Sequence, residues 1–589
     1  MYLEKINSPE DVKKLSIDEM KDLSSEIRKV LLNRLSEKGG HIGPNLGVVE
    51  LTVALHYVFN SPKDKIVYDV SHQSYVHKIL TGRKEAFINL EKYKTVSGYS
   101  NPDESEHDFF KLGHTSTSIS LACGLAKARD LKGDKDNIIA IIGDGSLSGG
   151  EAYEGLNNAA EAGTNMIIIV NDNEMSIAEN YGGLYKNLRE LRESEGKCEC
   201  NFFKAMGLDY YYIKDGHNID ELVSTLSKIK DIDHPVVVHV HTIKGKGYEF
   251  AEKNKEQWHW GMPFEIETGK SKGANKNREN YGDLTGEYLL NAMKEDKNVV
   301  AITSGTPTVF GFNKERRVEA GKQFVDVGIA EEHAVALASG IAANGGSPVY
   351  GVHSTFLQRT YDQLSQDLCI NNNPATILVY SASVYGMNDV THIGLYDIGL
   401  MSNIPNMVYL APAFKEEYFK MLNWAMTQKE HPVAIRVPVM GVIESGLEDT
   451  TDYSILNKYQ VTKSGNEVAI IALGDFYQLG EKVAMKLSKE NNIEATLINP
   501  KYITGIDEEL LENLKKEHKL VITLEDGILE GGFGEKISRF YGPSNMKVLN
   551  YGIKKELLDR YIPDELMKKN RLTDIQIVED IIKIIKIIK

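Results

Sequence analysis

Two polar triplets at the ends of apolar runs have the residue types to hold a metal-bridged phosphate. The run 138–142 (IIAII) leads into Gly143-Asp144-Gly145-Ser146, and the run 166–170 (MIIIV) leads into Asn171-Asp172-Asn173. Asp144 offers a carboxylate and Asn173, 29 positions later, an amide oxygen. Mg²⁺ favours near-octahedral oxygen ligands, and usually takes one or two side chains together with phosphate oxygens. Gly143 and Gly145 let the backbone approach a phosphate closely. Either triplet alone is an ordinary turn or loop. Together, at two strand ends, they lie where open α/β sheets bind ligands.

The surrounding elements must bring those ends together. Short β-branched runs recur at 138–142, 166–170, 236–241, 299–303, 376–380, 433–437, 468–473, 520–524 and 547–551, bounded by Gly, Asp, Asn or Pro. The stretches between them are mostly long enough for helices. Such alternation predicts α/β units, each a mostly parallel sheet flanked by helices. Residues 265–282 are polar, rich in Lys, Gly and Asn, and read as a linker. Residues 444–466 are also polar. Three units follow: 1–270, 283–445 and 460–589. The charged segment 182–201 shows no clear period and reads as a loop. The C-terminal EDIIKIIKIIK, with Lys583, Lys586 and Lys589, predicts a helix whose isoleucines dock on its own domain, with a membrane-surface anchor as the alternative.

Bulk properties narrow the function. The net charge of -16 disfavours nucleic acid and anionic lipid as partners. Cys123, Cys198, Cys200 and Cys369 are too sparse for a disulfide framework. The N-terminal MYLEKINSPEDVKKL has no apolar signal core, and no run approaches the length of a membrane span. A cytoplasmic protein with small-molecule substrates is expected.

The paired triplets resemble the signature of thiamine diphosphate enzymes, GDG followed by NN or NDN. That resemblance implies thiamine diphosphate and Mg²⁺ as cofactors, with Asp144, Asn173 and the backbone carbonyl of Met175 on the metal. Such an enzyme also needs a carboxyl group on the aminopyrimidine ring to drive its tautomerisation. Glu331, in Asp326-Val327-Gly328-Ile329-Ala330-Glu331-Glu332-His333 ahead of an apolar helix, is the candidate. By itself it would be a first-turn glutamate complementing a helix dipole.

Further stretches make the resemblance specific. HIGPNLGVVELTVALHYVFN (41–60), DVSHQSYVHKILTGR (69–83), LGHTSTSIS (112–120), VGIAEEHAVALASGIA (327–342) and STFLQRTYDQ (354–363) are similar to the 1-deoxy-D-xylulose-5-phosphate synthase family, relatives of transketolase. The resemblance covers nearly the whole chain. It implies three transketolase-like domains: diphosphate-binding, pyrimidine-binding and C-terminal. It also implies a homodimer that decarboxylates pyruvate and transfers the two-carbon unit to D-glyceraldehyde 3-phosphate. Carried over, His72, Gly113, His114, Thr115, Gly145, Ser146 and Tyr248 would line the diphosphate, with Lys244 a further contact. His41, His259 and His392 would surround the reacting carbons, and neutral imidazoles suit that task. Arg359 and Arg436 would grip the acceptor phosphate through their planar forks.

The chain departs from the family on the acceptor side. His353 replaces a tyrosine before STFLQR. In Gly386-Met387-Asn388-Asp389-Val390-Thr391-His392, Asn388 replaces a carboxylate that contacts substrate and Asp389 replaces a glycine. An arginine is missing from YSASVYG. The segment after NDNEMSIAEN is shorter than usual. A paralogue with another aldehyde acceptor, a transketolase-type ketol transfer and a silent thiamine diphosphate-binding protein are the alternatives.

Overall fold

The computed structural model describes residues 1–273 and 279–588. They form two compact units, Met1–Asn277 with Gly328–Ala330, and Arg278–Val327 with Glu331–Lys589.

The first unit is built on five strands: β1 (Lys65–Tyr68), β2 (Ile138–Gly143), β3 (Met166–Asp172), β4 (Asp209–Ile213) and β5 (Pro235–His241). Their order is β1-β2-β3-β5-β4 and every pairing is parallel. The central strands are apolar on both faces because helices cover both. Ile138, Ala140 and Ile142 pack on Ile119, Ala122, Leu156 and Ala159 of helices Ser118–Lys132 and Gly150–Ala162. The alternate residues Ile139 and Ile141 pack on Leu51, Leu55, Leu222 and Leu226 of helices Val49–Val58 and Ile219–Ile229. This period of two orients Asp144 and Asn173 from the same end of neighbouring strands.

The second unit holds two sheets. The first has β6 (Val299–Thr303), β7 (Phe324–Asp326), β8 (Ser347–His353), β9 (Thr376–Tyr380), β10 (Val408–Leu410) and β11 (Val433–Arg436), in the all-parallel order β10-β11-β9-β8-β6-β7. The other has β12 (Gln460–Lys463), β13 (Glu467–Ala472), β14 (Thr496–Asn499), β15 (His518–Ile528) and β16 (Lys547–Ile553), ordered β12-β14-β13-β15-β16, with only the edge strand β12 antiparallel. The two sheets share one continuous core, in which Tyr409, Leu410 and Ile435 meet Ile471, Ile498 and Val521.

All nine strands expected from the apolar runs are present, within a few residues at their ends. Segment 182–201 is not a loop throughout: Gly183–Glu193 is helical. Leu184, Leu188 and Leu191 recur on one face, and Leu188 and Leu191 are fully buried. The expected linker 265–282 is ordered at both ends. Glu265 and Lys270 close a backbone hydrogen bond of 2.9 Å, and Asn280 caps helix Tyr281–Glu295 by accepting from the Asp283 amide at 2.9 Å. The middle of that linker, 274–278, lies outside the described residues, as does Lys589 of the tail pattern. The C-terminal helix Asp574–Ile588 buries Ile577, Val578, Ile581 and Ile585 against Val483 and Leu487 of helix Tyr477–Asn491, as its apolar face requires. No described helix is long and apolar enough to cross a membrane.

Candidate active site

In the first unit, β2 ends in Asp144, which is 1% exposed. Its amide donates to the Asn171 carbonyl at 3.1 Å, and Asn180 Nδ2 donates to its Oδ2 at 2.6 Å. Burial, and then the charge of nearby Asp172, push the Asp144 carboxyl well above the usual range. Asn173 Oδ1, Asn180 Oδ1 and Ser176 Oγ are buried without hydrogen-bond partners among the described residues. Buried oxygen atoms rarely stay unsatisfied. A carboxylate held unfavourably dry beside unsatisfied amide oxygens is a donor set that fits a hard divalent cation. Gly145 allows this approach: a Cβ there would lie 2.8 Å from Ser176 Cα.

The loop carrying Gly113, His114 and Thr115 is clamped from below. Asp69, fully buried after β1, accepts from the Ser116 amide at 2.8 Å and the Ser118 amide at 3.0 Å. Ser116 Oγ donates to the Ser146 carbonyl at 2.7 Å and ties this loop to the Gly145–Ser146 turn. His72 follows on the same side. Burial, then the Lys244 charge, lower it to about 3, so it is neutral, and its buried Nδ1 has no hydrogen-bond partner among the described residues.

Three histidines meet here. Ring centroids lie 4.9 Å apart for His41 and His72, 5.1 Å for His72 and His259, and 5.7 Å for His41 and His259. Asn45 holds two of them, donating to the carbonyls of His41 and His72 at 2.8 Å each. Gly40 and Gly261 pair through reciprocal 2.9 Å backbone bonds and bring the 259 loop alongside. Lys244 Nζ donates to the Ser176 carbonyl at 2.5 Å and lies 3.0 Å from His259 Nδ1. While charged, Lys244 can only donate, so Nδ1 then accepts and the His259 proton resides on Nε2; burial lowers Lys244 to about 7, so this state belongs to the acid side of neutrality. Lys244 is thus engaged as a clamp on His259, a use that a phosphate contact alone does not describe. Tyr248 is likewise engaged: its hydroxyl donates to the Ile266 carbonyl at 3.0 Å, and its ring packs on Trp258 and Phe264.

In the second unit, Glu331 opens helix Glu331–Ala343 and is 1% exposed. Burial pushes its carboxyl up to about 7, against the opposing charge of Arg359, whose Nη1 is 3.7 Å from Oε2. That Oε2 has no hydrogen-bond partner among the described residues. Arg359 therefore sits beside the buried carboxyl. His353 Nδ1 lies 2.9 Å from Ser381 Oγ, and burial holds this imidazole down at about 4. The edges of His353 and His392 both meet Phe356, at 5.8 and 5.6 Å between centroids.

Two of the expected acceptor-side residues have partners within the chain. Arg436 is buried between Asp397 and Asp526, bonded to both carboxylates. Burial alone would favour its loss of charge, but the two aspartates hold it charged. Its fork is thus engaged in internal ion pairs with both aspartates. Asn388 is exposed, and its Nδ2 donates to the Tyr561 carbonyl at 2.8 Å, so its amide fastens a loop.

The sequence profile of 1-deoxy-D-xylulose-5-phosphate synthase matches residues 3–199 and 195–242, the transketolase pyrimidine-binding domain matches 279–442 and the transketolase C-terminal domain matches 457–577. Proteins of that name are 41% identical in Alkaliphilus oremlandii, over 99% of both chains, and 40% identical in Clostridium tetani, over 98% of both. The chain belongs to the 1-deoxy-D-xylulose-5-phosphate synthase family.

Within this synthase fold, sequence reasoning passed over Asp69, Asn45 and Asp397. Each acts on backbone or on a partner far along the chain, so no local motif marks it. Asp69 stands at the start of DVSHQSY and Asn45 within HIGPN, both inside stretches already recognised as those of the family. A carboxylate that closes the short apolar run 66–68 (IVY) is the signal that could have found Asp69.

Proposed function

We infer that this chain condenses pyruvate with D-glyceraldehyde 3-phosphate to give 1-deoxy-D-xylulose 5-phosphate and CO2, as a transferase dependent on thiamine diphosphate. Membership of the family supports the reaction, and one observation supports the cofactor chemistry. Glu331 is a fully buried carboxyl at a helix start, with an Oε2 that has no hydrogen-bond partner among the described residues and a proton affinity raised into the neutral range. A group of that kind can hold or release a proton at a ring nitrogen near neutral pH.

When bound, thiamine diphosphate supplies the carbon that accepts the two-carbon unit and the ring that stabilises charge as CO2 leaves. The protein's part is placement. Asp144, Asn173 and the Met175 carbonyl are assigned to Mg²⁺. Gly113, His114, Thr115, Gly145, Ser146 and His72 are assigned to the diphosphate. His259, neutral and, while Lys244 is charged, protonated on Nε2, is a hydrogen-bond donor toward substrate, with His41 beside it and His392 assigned to the same chemistry. Arg359 is assigned to substrate as well as to Glu331. Three domains, a cytoplasmic location and a homodimer without nucleic-acid or membrane partners complete this reading, supported by the family and by the acidic charge.

Glu331→Ala tests it. Turnover should fall at least about a thousandfold, within the range of acid–base contributions. Thiamine diphosphate binding, followed by tryptophan fluorescence or calorimetry, should weaken little. Wild-type turnover in the variant would remove this mechanism.

A further inference from the structure

The carboxylate that this chain carries at position 389 lies directly behind His392. Asp389 Oδ1 accepts from the Thr391 amide at 3.2 Å and from Thr391 Oγ1 at 2.9 Å. The Asp389 carbonyl accepts from the His392 amide at 2.8 Å. Thr391 Oγ1 in turn lies 2.7 Å from His392 Nδ1. The turn is fixed from outside by the 559–561 segment: Val390 donates to Asp559 Oδ1 at 3.2 Å, Arg560 donates to the Asn388 carbonyl at 2.7 Å, and Asn388 donates to Tyr561.

The threonine hydroxyl has one proton and two neighbours that could accept it. A carboxylate oxygen is the stronger acceptor, because charge-assisted hydrogen bonds are roughly twice as strong as neutral ones. The proton therefore goes to Asp389, and the hydroxyl oxygen presents its lone pairs to the imidazole. His392 Nδ1 must then carry a hydrogen, which leaves Nε2 as the acceptor nitrogen.

We propose that Asp389 is a positioning residue which, through Thr391, holds His392 as the Nδ1–H tautomer so that Nε2 enters the reaction as an acceptor. The inference rests on the reading that His392 contacts the reacting carbons. It makes His392 opposite in sense to His259, whose Nε2 is a donor while Lys244 is charged. It also gives position 389 a role in substrate handling, whereas Asn388 has become a structural tie.

The test is nitrogen-15 NMR of protein labelled at histidine, without cofactor, with the His392 signals identified by their loss in His392→Gln. Wild type should show a pyrrole-type Nδ1 and a pyridine-type Nε2. Asp389→Gly and Thr391→Val should each shift His392 toward the Nε2–H form. In the loaded enzyme both should lower kcat about tenfold, a fraction of a full acid–base contribution, with the KM for pyruvate changed less than about twofold. Thr391→Val keeps the side-chain shape, so the test survives if Asp389→Gly fails to fold. An Nε2–H form in wild type, or an unchanged tautomer in both variants, overturns the inference. Full activity of His392→Gln would instead overturn the role assigned to His392, with the tautomer result left standing.

Discussion

Glu331 is a buried carboxyl whose placement costs stability at neutral pH. An ordinary glutamate titrates near 4.5, and here burial raises the carboxyl to about 7. Between those values the folded state holds a proton that the unfolded chain has released, so stability falls as pH rises through that window. In Glu331→Gln a neutral amide replaces the carboxyl and removes the penalty. The variant without cofactor should be more stable than wild type at pH 8, by about 3 kcal/mol from the size of the shift. The gap should close near pH 4.5, and thermal melts across that range would check it. A wild type as stable as the variant at pH 8 would mean that Glu331 is solvated in solution. Arg436 makes the contrary case. Removing it in Arg436→Met leaves Asp397 and Asp526 buried without their cation, and breaking a buried pair costs about 3–5 kcal/mol. The melting temperature should fall steeply. A variant of normal stability with a raised KM for the acceptor alone would instead support a phosphate-gripping role.

Loops and short elements carry the site, and they are fixed by buried carboxylates and amides. Asp69 satisfies two backbone donors at the start of helix Ser118–Lys132. Asp69→Ala leaves both unpaired, at about 1–3 kcal/mol each. It should weaken thiamine diphosphate binding through the Gly113–Thr115 loop, and calorimetry on the folded variant would show it. Unchanged affinity would show that the loop holds its shape unaided. Much of this level was readable beforehand. The strands around Asp144 and Asn173 showed themselves because both faces are covered and their runs are almost wholly apolar. Helix Gly183–Glu193 was missed because its apolar face is narrow: Leu184, Leu188 and Leu191 are surrounded by Lys186, Arg189, Glu190 and Arg192, which mask the period in a charge-rich stretch. The edge strand β12 was missed because Gln460, Val461 and Thr462 are exposed and no apolar run marks them. The structural partner of Asn388 was not legible because motif position specifies the residue's place in the chain but not which way its amide faces; the Tyr561 carbonyl that takes it lies 173 residues away.

At the scale of the molecule, the described residues form two compact units. The first holds the oxygen donors around Asp144 and the three-histidine cluster, and the second holds Glu331, Arg359 and His392. The second unit is stabilised by one core shared between two sheets, and its C-terminal helix closes the far face of the last sheet. Ending the chain at residue 573 would expose Val483, Leu487 and their neighbours to water, and should give an aggregation-prone protein that size-exclusion chromatography would detect. The sequence departs from the family at His353, Asn388 and Asp389, all on the expected acceptor side. The most direct measurement is therefore of the product. Purified enzyme with thiamine diphosphate, Mg²⁺, carbon-13 pyruvate and D-glyceraldehyde 3-phosphate should release CO2 and form labelled 1-deoxy-D-xylulose 5-phosphate, seen by NMR. CO2 release without that product, alongside efficient turnover of a different aldehyde, would contradict the assignment.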